Sequence, residues 1–584
     1  MSNFYFALLK EWCDALVELQ ITGHKRSELY GGILCPSCAR VHGRCGDAVY
    51  PLAYMADVTK DAKYLECAKL LFDWSENMAR PDGSYINDTN SAWNGITVFA
   101  SIQLGEALLY HGNVLDAETT EKWRTRLRKA ADFLYDTDLR SNINYPITCA
   151  ASLAVAYCVL KDQKYGVKAR KLAHDALAYF TPEGLIFGEG KPNGVTTEKG
   201  CRAVDLGYNV EESLGGLVTY GLLMQDGEVL AAAEKSMLAH LAFMLPDGAW
   251  DNSWGSRSNK WTYWGSRTSD GCQIAYGLLA GRNPLFAEAA YRNALLYKHC
   301  THEGLLHGGP MYATAKEPPC VHHTFCHAKA LAAALDHGLE PLTQHPALPR
   351  EQAAGLSYYH SIDTALIAKG PWRATVTGYD FDYVPNGHAT GGAIAMLWHK
   401  DAGPVLASTM TEYSLVEPNN MQLPKRLDNI ALTARIEKKT AAGFFRSCAD
   451  QQAEMACAEG PDIRVTASGH LRNGAREAAD AFAMEYTFTE KEMRIIVLTE
   501  GDGCVYKLPV IASGRAFLNR IDERTAEIQT ETARLRITAS LNLLIEDKAG
   551  PRIFNPVGGF EAVPFYLDLK PKVKAELILT VNAL

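Results

Sequence analysis

A 24-residue window recurs four times within the first 304 residues, and it limits the fold more than any other feature of the chain. Lys60–Gly83 reads KDAKYLECAKLLFDWSENMARPDG and Lys161–Gly184 reads KDQKYGVKARKLAHDALAYFTPEG. The two align without gaps and agree at eight of 24 positions. Gln225–Gly248 and Gly281–Gly304 fit the same frame. Each window carries alanine at its ninth position (Ala68, Ala169, Ala233, Ala289) and ends on an acidic residue followed by glycine. Such a window encodes a polar turn, an amphipathic helix and a glycine stop. Between the windows lie apolar helical stretches at 93–110, 147–160 and 273–280. A hairpin of this kind cannot bury its inner face alone, so successive hairpins must stack into a solenoid or a closed α/α toroid.

The period changes after Pro341. Residues 341–350 (PLTQHPALPR) are proline-rich and mark a boundary. Beyond it, β-branched, alternating segments predict strands at 373–379, 392–398, 484–488, 493–498, 533–537, 541–545 and 575–581. The expected architecture is an N-terminal (α/α) toroid of six or seven helical hairpins over 1–340. A linker at 341–355 and an antiparallel β-sandwich over 356–584 follow. Length alone would have suggested about four domains; the repeat reduces them to two.

Composition excludes several classes. A 47% hydrophobic content is that of a globular chain, and 67 acidic against 58 basic residues (net −9) argues against a dedicated nucleic-acid binder. No apolar run approaches the length of a membrane span. The start, 1–19, reads as an amphipathic helix without the basic n-region of a secretory signal. The fifteen cysteines are odd in number, and twelve precede residue 330, a pattern of buried free thiols rather than a disulfide framework. The expected compartment is the cytoplasm if this N-terminus is native, and the periplasm or exterior if a signal has been removed. The oligomeric state is left open.

Six segments carry polar and aromatic residues suited to a cleft. Ala249–Gln273 holds Trp250, Trp254, Trp261 and Trp264 beside Arg257, Lys260 and Arg267. Indole faces pack on sugar rings and guanidinium forks bind carboxylates, so this loop predicts an acidic-sugar site; a Trp-stabilised structural loop is the plainer alternative. Cys35–Tyr50 offers Cys35, Cys38, His42 and Cys45, the atom types of a tetrahedral zinc site, or else a cleft loop presenting His42, Arg44 and Asp47. Cys320–Lys329 places His323 and His327 four apart without the intervening Glu of an HExxH metalloprotease, and His322 or His323 suits proton transfer. Glu189–Glu212 contributes Asp205, Tyr208, Glu211 and Glu212. Asn142–Pro146 offers Asn144 as a carboxylate donor or simply a helix cap. In the sandwich, His388 sits in a glycine-rich turn able to reach an interdomain cleft.

Together with the architecture, the segments CPSCARVHGR (35–44), NSWGSRSNKWTYWGSRTSDG (252–271) and VHHTFCH (321–327) resemble the heparinase II/III-like toroid-plus-sandwich polysaccharide lyases. Within that group the chain is similar to the L-rhamnose-α-1,4-D-glucuronate lyases of polysaccharide lyase family 27. The resemblance implies β-elimination at a glucuronate, with release of L-rhamnose caps from a plant glycan such as arabinogalactan. Arg267, with Arg44 or Asn144, would neutralise the uronate carboxylate, and His322, His323 or Tyr208 would act as base and acid. Trp261 and Trp264 would supply the stacking surface, with Trp254, Arg257, Lys260, His42 and His388 binding substrate. The chemistry requires no cofactor, and a structural zinc or other divalent metal is the one addition the residues suggest. The partner is an acidic oligo- or polysaccharide. Alternatives are a glycoside hydrolase using Asp205, Glu211, Asp247 or Asp270, and a non-catalytic carbohydrate-binding protein.

Overall fold

A computed structural model describes the chain except residues 1–2, 24, 26, 140, 191–193, 268–273, 419–420, 425–430 and 547–551. In chain order its principal helices are α1 (Phe4–Glu18), α2 (Val49–Thr59), α3 (Ala62–Ser75), α4 (Thr97–His111), α5 (Ala117–Asp136) and α6 (Asn144–Leu160). These are followed by α7 (Gln163–Ala176), α8 (Leu214–Met224), α9 (Gly227–His240), α10 (Ile274–Leu278), α11 (Pro284–His299) and α12 (Val321–Asp336). The even-numbered helices form an inner ring in which each packs on the next and α12 returns to α2. The odd-numbered helices lie outside, and α1 covers α12. The toroid therefore has six hairpins, the last made from the two ends of the helical region.

Sequence explains the two layers. Inner helix α6 (NYPITCAASLAVAYCVL) is buried on nearly every side, whereas outer helix α5 (AETTEKWRTRLRKAADFLYD) buries one stripe and turns its charges to solvent. The four repeat windows become α3, α7, α9 and α11. Their N-caps Asp61, Asp162, Asp226 and Asn283 each accept a hydrogen bond from a first-turn amide. Ala68, Ala169, Ala233 and Ala289 are fully buried. The terminal glycines have φ of +94°, +93°, +89° and +74°, and each abuts the next outer helix: Gly83 on α5, Gly184 on α9, Gly248 on α11 and Gly304 on α1. The motif thus encodes both the stop and the spacing of the ring.

The second domain begins with an antiparallel meander, β1 (Gly355–Tyr359), β2 (Thr364–Lys369), β3 (Trp372–Thr377), β4 (Ala393–His399) and β5 (Gly403–Ala407). A larger sheet between Arg435 and Ala583 has fourteen strands among the described residues, all paired antiparallel. One face of the meander (Ile367, Val376, Leu397) packs on the large sheet, and the other (Leu366, Met396, Trp398) packs on the toroid. β3 and β4 are accordingly buried along their whole length. The predicted strand at 541–545 is reduced to Leu544–Ile545. The boundary segment is also less slack than its prolines suggest: Arg350 is buried, donating to Asp251 (2.8 Å) in the toroid and Thr375 (2.6 Å) in β3. All fourteen described cysteines are unbridged, and twelve precede residue 330 with Cys272, which lies outside the described residues. No described helix is long and apolar enough to cross a membrane.

Gly248 tests the ring geometry. A Cβ there would collide with the Arg292 backbone while φ stays positive, so Gly248→Ala should cost about 1–3 kcal/mol and lower the Tm by several degrees. An unchanged melting curve would contradict the packing described.

Candidate active site

The loops that lead into the inner helices gather at one end of the toroid around a cavity of about 580 Å³. Arg44 enters from the turn before α2, Asn87, Asn90 and Trp93 from the loop before α4, and Asn142 and Tyr145 from the start of α6. Tyr208 and Glu212 come from a helix that begins at Leu206–Tyr208, widens into a π-turn over Asn209–Ser213 and continues as α8. Arg257 and Lys260 arrive from the Trp-rich loop. The sandwich closes the wall with Tyr383 and 416–418.

Buried Asp205 organises the centre. Its carboxylate accepts from the Tyr208 amide (2.9 Å) and the Arg257 amide (2.7 Å), setting both side chains on the cavity wall. The Arg257 guanidinium lies between the Tyr208 and Tyr383 rings, 4.1 and 4.3 Å from their centroids, and pairs with Glu189 (2.6 Å) and Glu417 (2.7 Å). The Lys260 ammonium donates to the Tyr208 hydroxyl at 2.8 Å and pairs with Glu417. Burial and the adjacent Arg257 bring Lys260 down to about 8. Burial works to raise Glu417, but Lys260 and Arg257 outweigh it and hold that carboxyl at about 2. Burial pushes the Tyr208 phenol well above its ordinary value and Glu189 up to about 7.

One helical turn beyond Tyr208, burial raises Glu212 to about 8, so its carboxyl is largely neutral at pH 7. Asn144 donates its amide to Glu212. Asn144 is the first residue of α6 rather than its cap, so its side chain is not spent on the helix terminus. The cavity wall therefore presents a largely protonated acid, a lysine-bound phenol and two guanidinium groups together.

Several residues singled out in the sequence lie elsewhere. Trp250, Trp254, Trp261 and Trp264 are all 0% exposed. Trp261 donates to Trp250 O, Trp264 donates to His307 O, and Trp254 packs on Phe243 and Tyr379. The expected stacking surface at Trp254, Trp261 and Trp264 is thus a structural core. These aromatics fill the joint between toroid and sandwich, and their indole N–H groups reach carbonyls in two of the cases. Trp93, 42% exposed and hydrogen-bonded to the Tyr145 hydroxyl at 2.8 Å, is the tryptophan on the cavity wall. Arg267 is buried beside Tyr312 (5.7 Å) and Tyr413, away from the cavity and next to the undescribed 268–273. His322 stacks on His42, and His323 packs edge-on to Trp264. Burial lowers both imidazoles well below their ordinary range, and neither lines the cavity. His388 is tied to Phe381 O and Ala389 O and packs at a tilt against Tyr379.

The hydrolase carboxylates are also engaged structurally. Asp205 is the cap described above, Glu211 accepts from the Ser266 amide, and Asp247 is bound by Tyr263 and Trp398. Asp270 lies outside the described residues. Of the proposed metal ligands, Cys35, Cys38 and His42 converge, but the fourth member of the cluster is Cys320. All four ligand atoms lie within 4.8 Å of one another. Cys45 is buried apart, because the 3₁₀ turn Gly43–Ala48 carries it away from the loop. Glu189, Glu417 and Tyr383 join the site through contacts with Arg257. Glu417 and Tyr383 come from sandwich loops that carry no motif of their own.

Comparison with known proteins places the chain in a family. The ulvan lyase N-terminal domain matches residues 9–351 and the ulvan lyase C-terminal domain matches residues 356–583. A broad-specificity ulvan lyase from Formosa agariphila is 41% identical over 600 residues, spanning 99% of this chain and 94% of its own. The chain belongs to the ulvan lyase family. It is a polysaccharide lyase with the toroid-plus-sandwich fold. Among solved structures, heparinase III aligns with a TM-score of 0.56 at 12% identity, covering 97% of this chain and 79% of that one. A chondroitin AC lyase variant from Streptomyces coelicolor aligns at 0.50 and 11% identity, covering 99% and 83%. At such identities the likeness concerns fold alone.

Proposed function

We propose that this chain cleaves ulvan by β-elimination at a uronate, breaking the bond on O4, with Tyr208 as the group that moves the protons. The observation that carries this reading is the Tyr208–Lys260 contact one helical turn from Glu212, all on one cavity wall, with burial raising the Glu212 carboxyl to about 8. The C5 proton of a uronate is too weakly acidic to remove while the neighbouring carboxylate keeps its full charge. Glu212, protonated and steadied by Asn144, donates a hydrogen bond to that carboxylate, and the Arg44 guanidinium, itself paired with Asp47 at 2.6 Å, stands on the same wall. Tyr208 takes H5 while its own proton passes to neutral Lys260. The C4–O4 bond then breaks and the same hydroxyl protonates the leaving oxygen, after which Lys260 returns its proton. In a gluco-configured uronate H5 and O4 share a face, so a single hydroxyl serves both steps. Arg257, clamped by Glu189 and Glu417, keeps the Tyr208 ring in place, and Trp93 offers the sugar an exposed indole.

The family and the name of the Formosa relative favour ulvan as the acidic polymer. The finer form of the proposal is that the uronate is glucuronate bearing rhamnose on O4. A screen of ulvan, arabinogalactan and other uronate glycans, followed by ultraviolet absorbance of the 4,5-unsaturated product, tests it. Ulvan should give that product, and Tyr208→Phe should lower the rate by about 10²–10⁴-fold. Saturated products, or a Tyr208→Phe enzyme of normal activity, would overturn the reading.

The two titrations set the pH dependence. Lys260 loses its proton as pH rises through about 8, which raises the rate. Glu212 loses its proton near the same pH, which lowers it. The kcat/KM profile should be a narrow bell centred near pH 8. Glu212→Gln keeps a donor that does not ionise, so its profile should lose the alkaline fall. Persistence of that fall in Glu212→Gln would remove Glu212 from this role.

A further inference from the structure

We propose that Cys35, Cys38, His42 and Cys320 bind a structural zinc ion that locks the two ends of the helical ring together. The Cys35 and Cys320 sulfurs are 3.7 Å apart, and the Cys320 sulfur is 3.4 Å from His42 Nε2. A tetrahedral zinc with Zn–S bonds of about 2.3 Å and a Zn–N bond of about 2.0–2.1 Å sets sulfurs about 3.8 Å apart, and sulfur and nitrogen about 3.6 Å apart. The observed separations match those edges, and the whole set of ligand atoms fits within 4.8 Å. The composition, three thiolates and one imidazole, is that of closed structural zinc sites, with no position left for substrate.

The local chain is shaped for this purpose. Residues 34–41 form a tight hairpin in which the Cys35 amide donates to Arg40 O and the Ala39 amide to Cys35 O, with Ala39 at φ +52°. The turn presents Cys35 and Cys38 on one side. His42 directs Nε2 to the cluster and Nδ1 toward Asp88, 3.7 Å away in the loop before α4. A carboxylate behind a ligating imidazole fixes its tautomer and strengthens it as a ligand. Cys320 is the N-cap of α12 and arrives from 278 residues further along the chain.

The site therefore ties the entry of the first inner helix to the start of the last, where no covalent continuity closes the ring. It also stands two residues from Arg44 on the cleft wall, so the ion would act on catalysis by positioning, outside the reaction itself. This inference is independent of the proposed substrate.

Metal analysis of the full-length enzyme purified without chelator should find about one zinc per chain. Replacement by Co²⁺ should give the thiolate-to-cobalt charge-transfer and tetrahedral d–d bands. Cys38→Ala, at the half-exposed ligand, should lower the zinc content several-fold, whereas Cys45→Ala should retain it. Stripping zinc under denaturing-free chelation should lower the Tm, with recovery on adding Zn²⁺. Wild-type enzyme that holds no zinc and gives no cobalt–thiolate band would overturn the proposal, as would a peptide map showing a Cys35–Cys320 disulfide.

Discussion

A helical hairpin with one apolar face must put that face against another hairpin, and in this chain six of them meet the requirement by closing a ring. Everything else in the molecule follows from that closure. The N-terminal helix must cross to the far end of the helical region to cover α12, and Gly304 accepts it as the other repeat glycines accept their neighbours. Closure also gathers the loops entering the inner helices at one end, which is where side chains from 44 to 260 share a cavity. The sandwich completes the cleft because its five-stranded sheet has two apolar faces. One is committed to the large sheet and the other to the toroid, which fixes Glu417 against Arg257 and Lys260.

Burial then sets the chemistry. Taking ionisable groups out of water disfavours their charged forms, and the groups respond according to their partners. Arg257 keeps its charge because two carboxylates and two aromatic rings surround it. Lys260 is buried and feels Arg257 close by, and these outweigh its pairing with Glu417, so its proton is loosely held. Glu212 has an amide as its direct partner and stays protonated. A donor acid and an ammonium whose proton is loosely held, both tuned close to pH 8, arise from burial and from their partners without any group being unusual in itself.

Much of the fold was legible from the sequence, since the repeat carries its own caps, spacing alanine and stop. The site was less so. Tyr208, Arg257, Lys260 and Arg44 stand out in the sequence because they lie in segments dense in polar and aromatic residues. Their grouping around Asp205 depends on long-range contacts that no spacing reveals. A Gly/Ser-rich loop full of indoles has the composition of a sugar-binding surface, whereas here its four tryptophans fill the joint between domains, with Trp261 opposite Phe560 and beside Gly558. The metal cluster shows the same limit. Cys35, Cys38 and His42 lie within eight residues of one another, but Cys320 is brought to them by ring closure, while Cys45, nearer in sequence, lies apart.

The most direct test of the account is a crystal structure of the Tyr208→Phe enzyme soaked with an ulvan oligosaccharide. The account predicts one uronate in the cavity with its carboxylate within hydrogen-bond distance of Glu212 and with C5 and O4 turned toward position 208. A uronate carboxylate bound away from Glu212, or a sugar whose C5 faces the opposite wall, would contradict it.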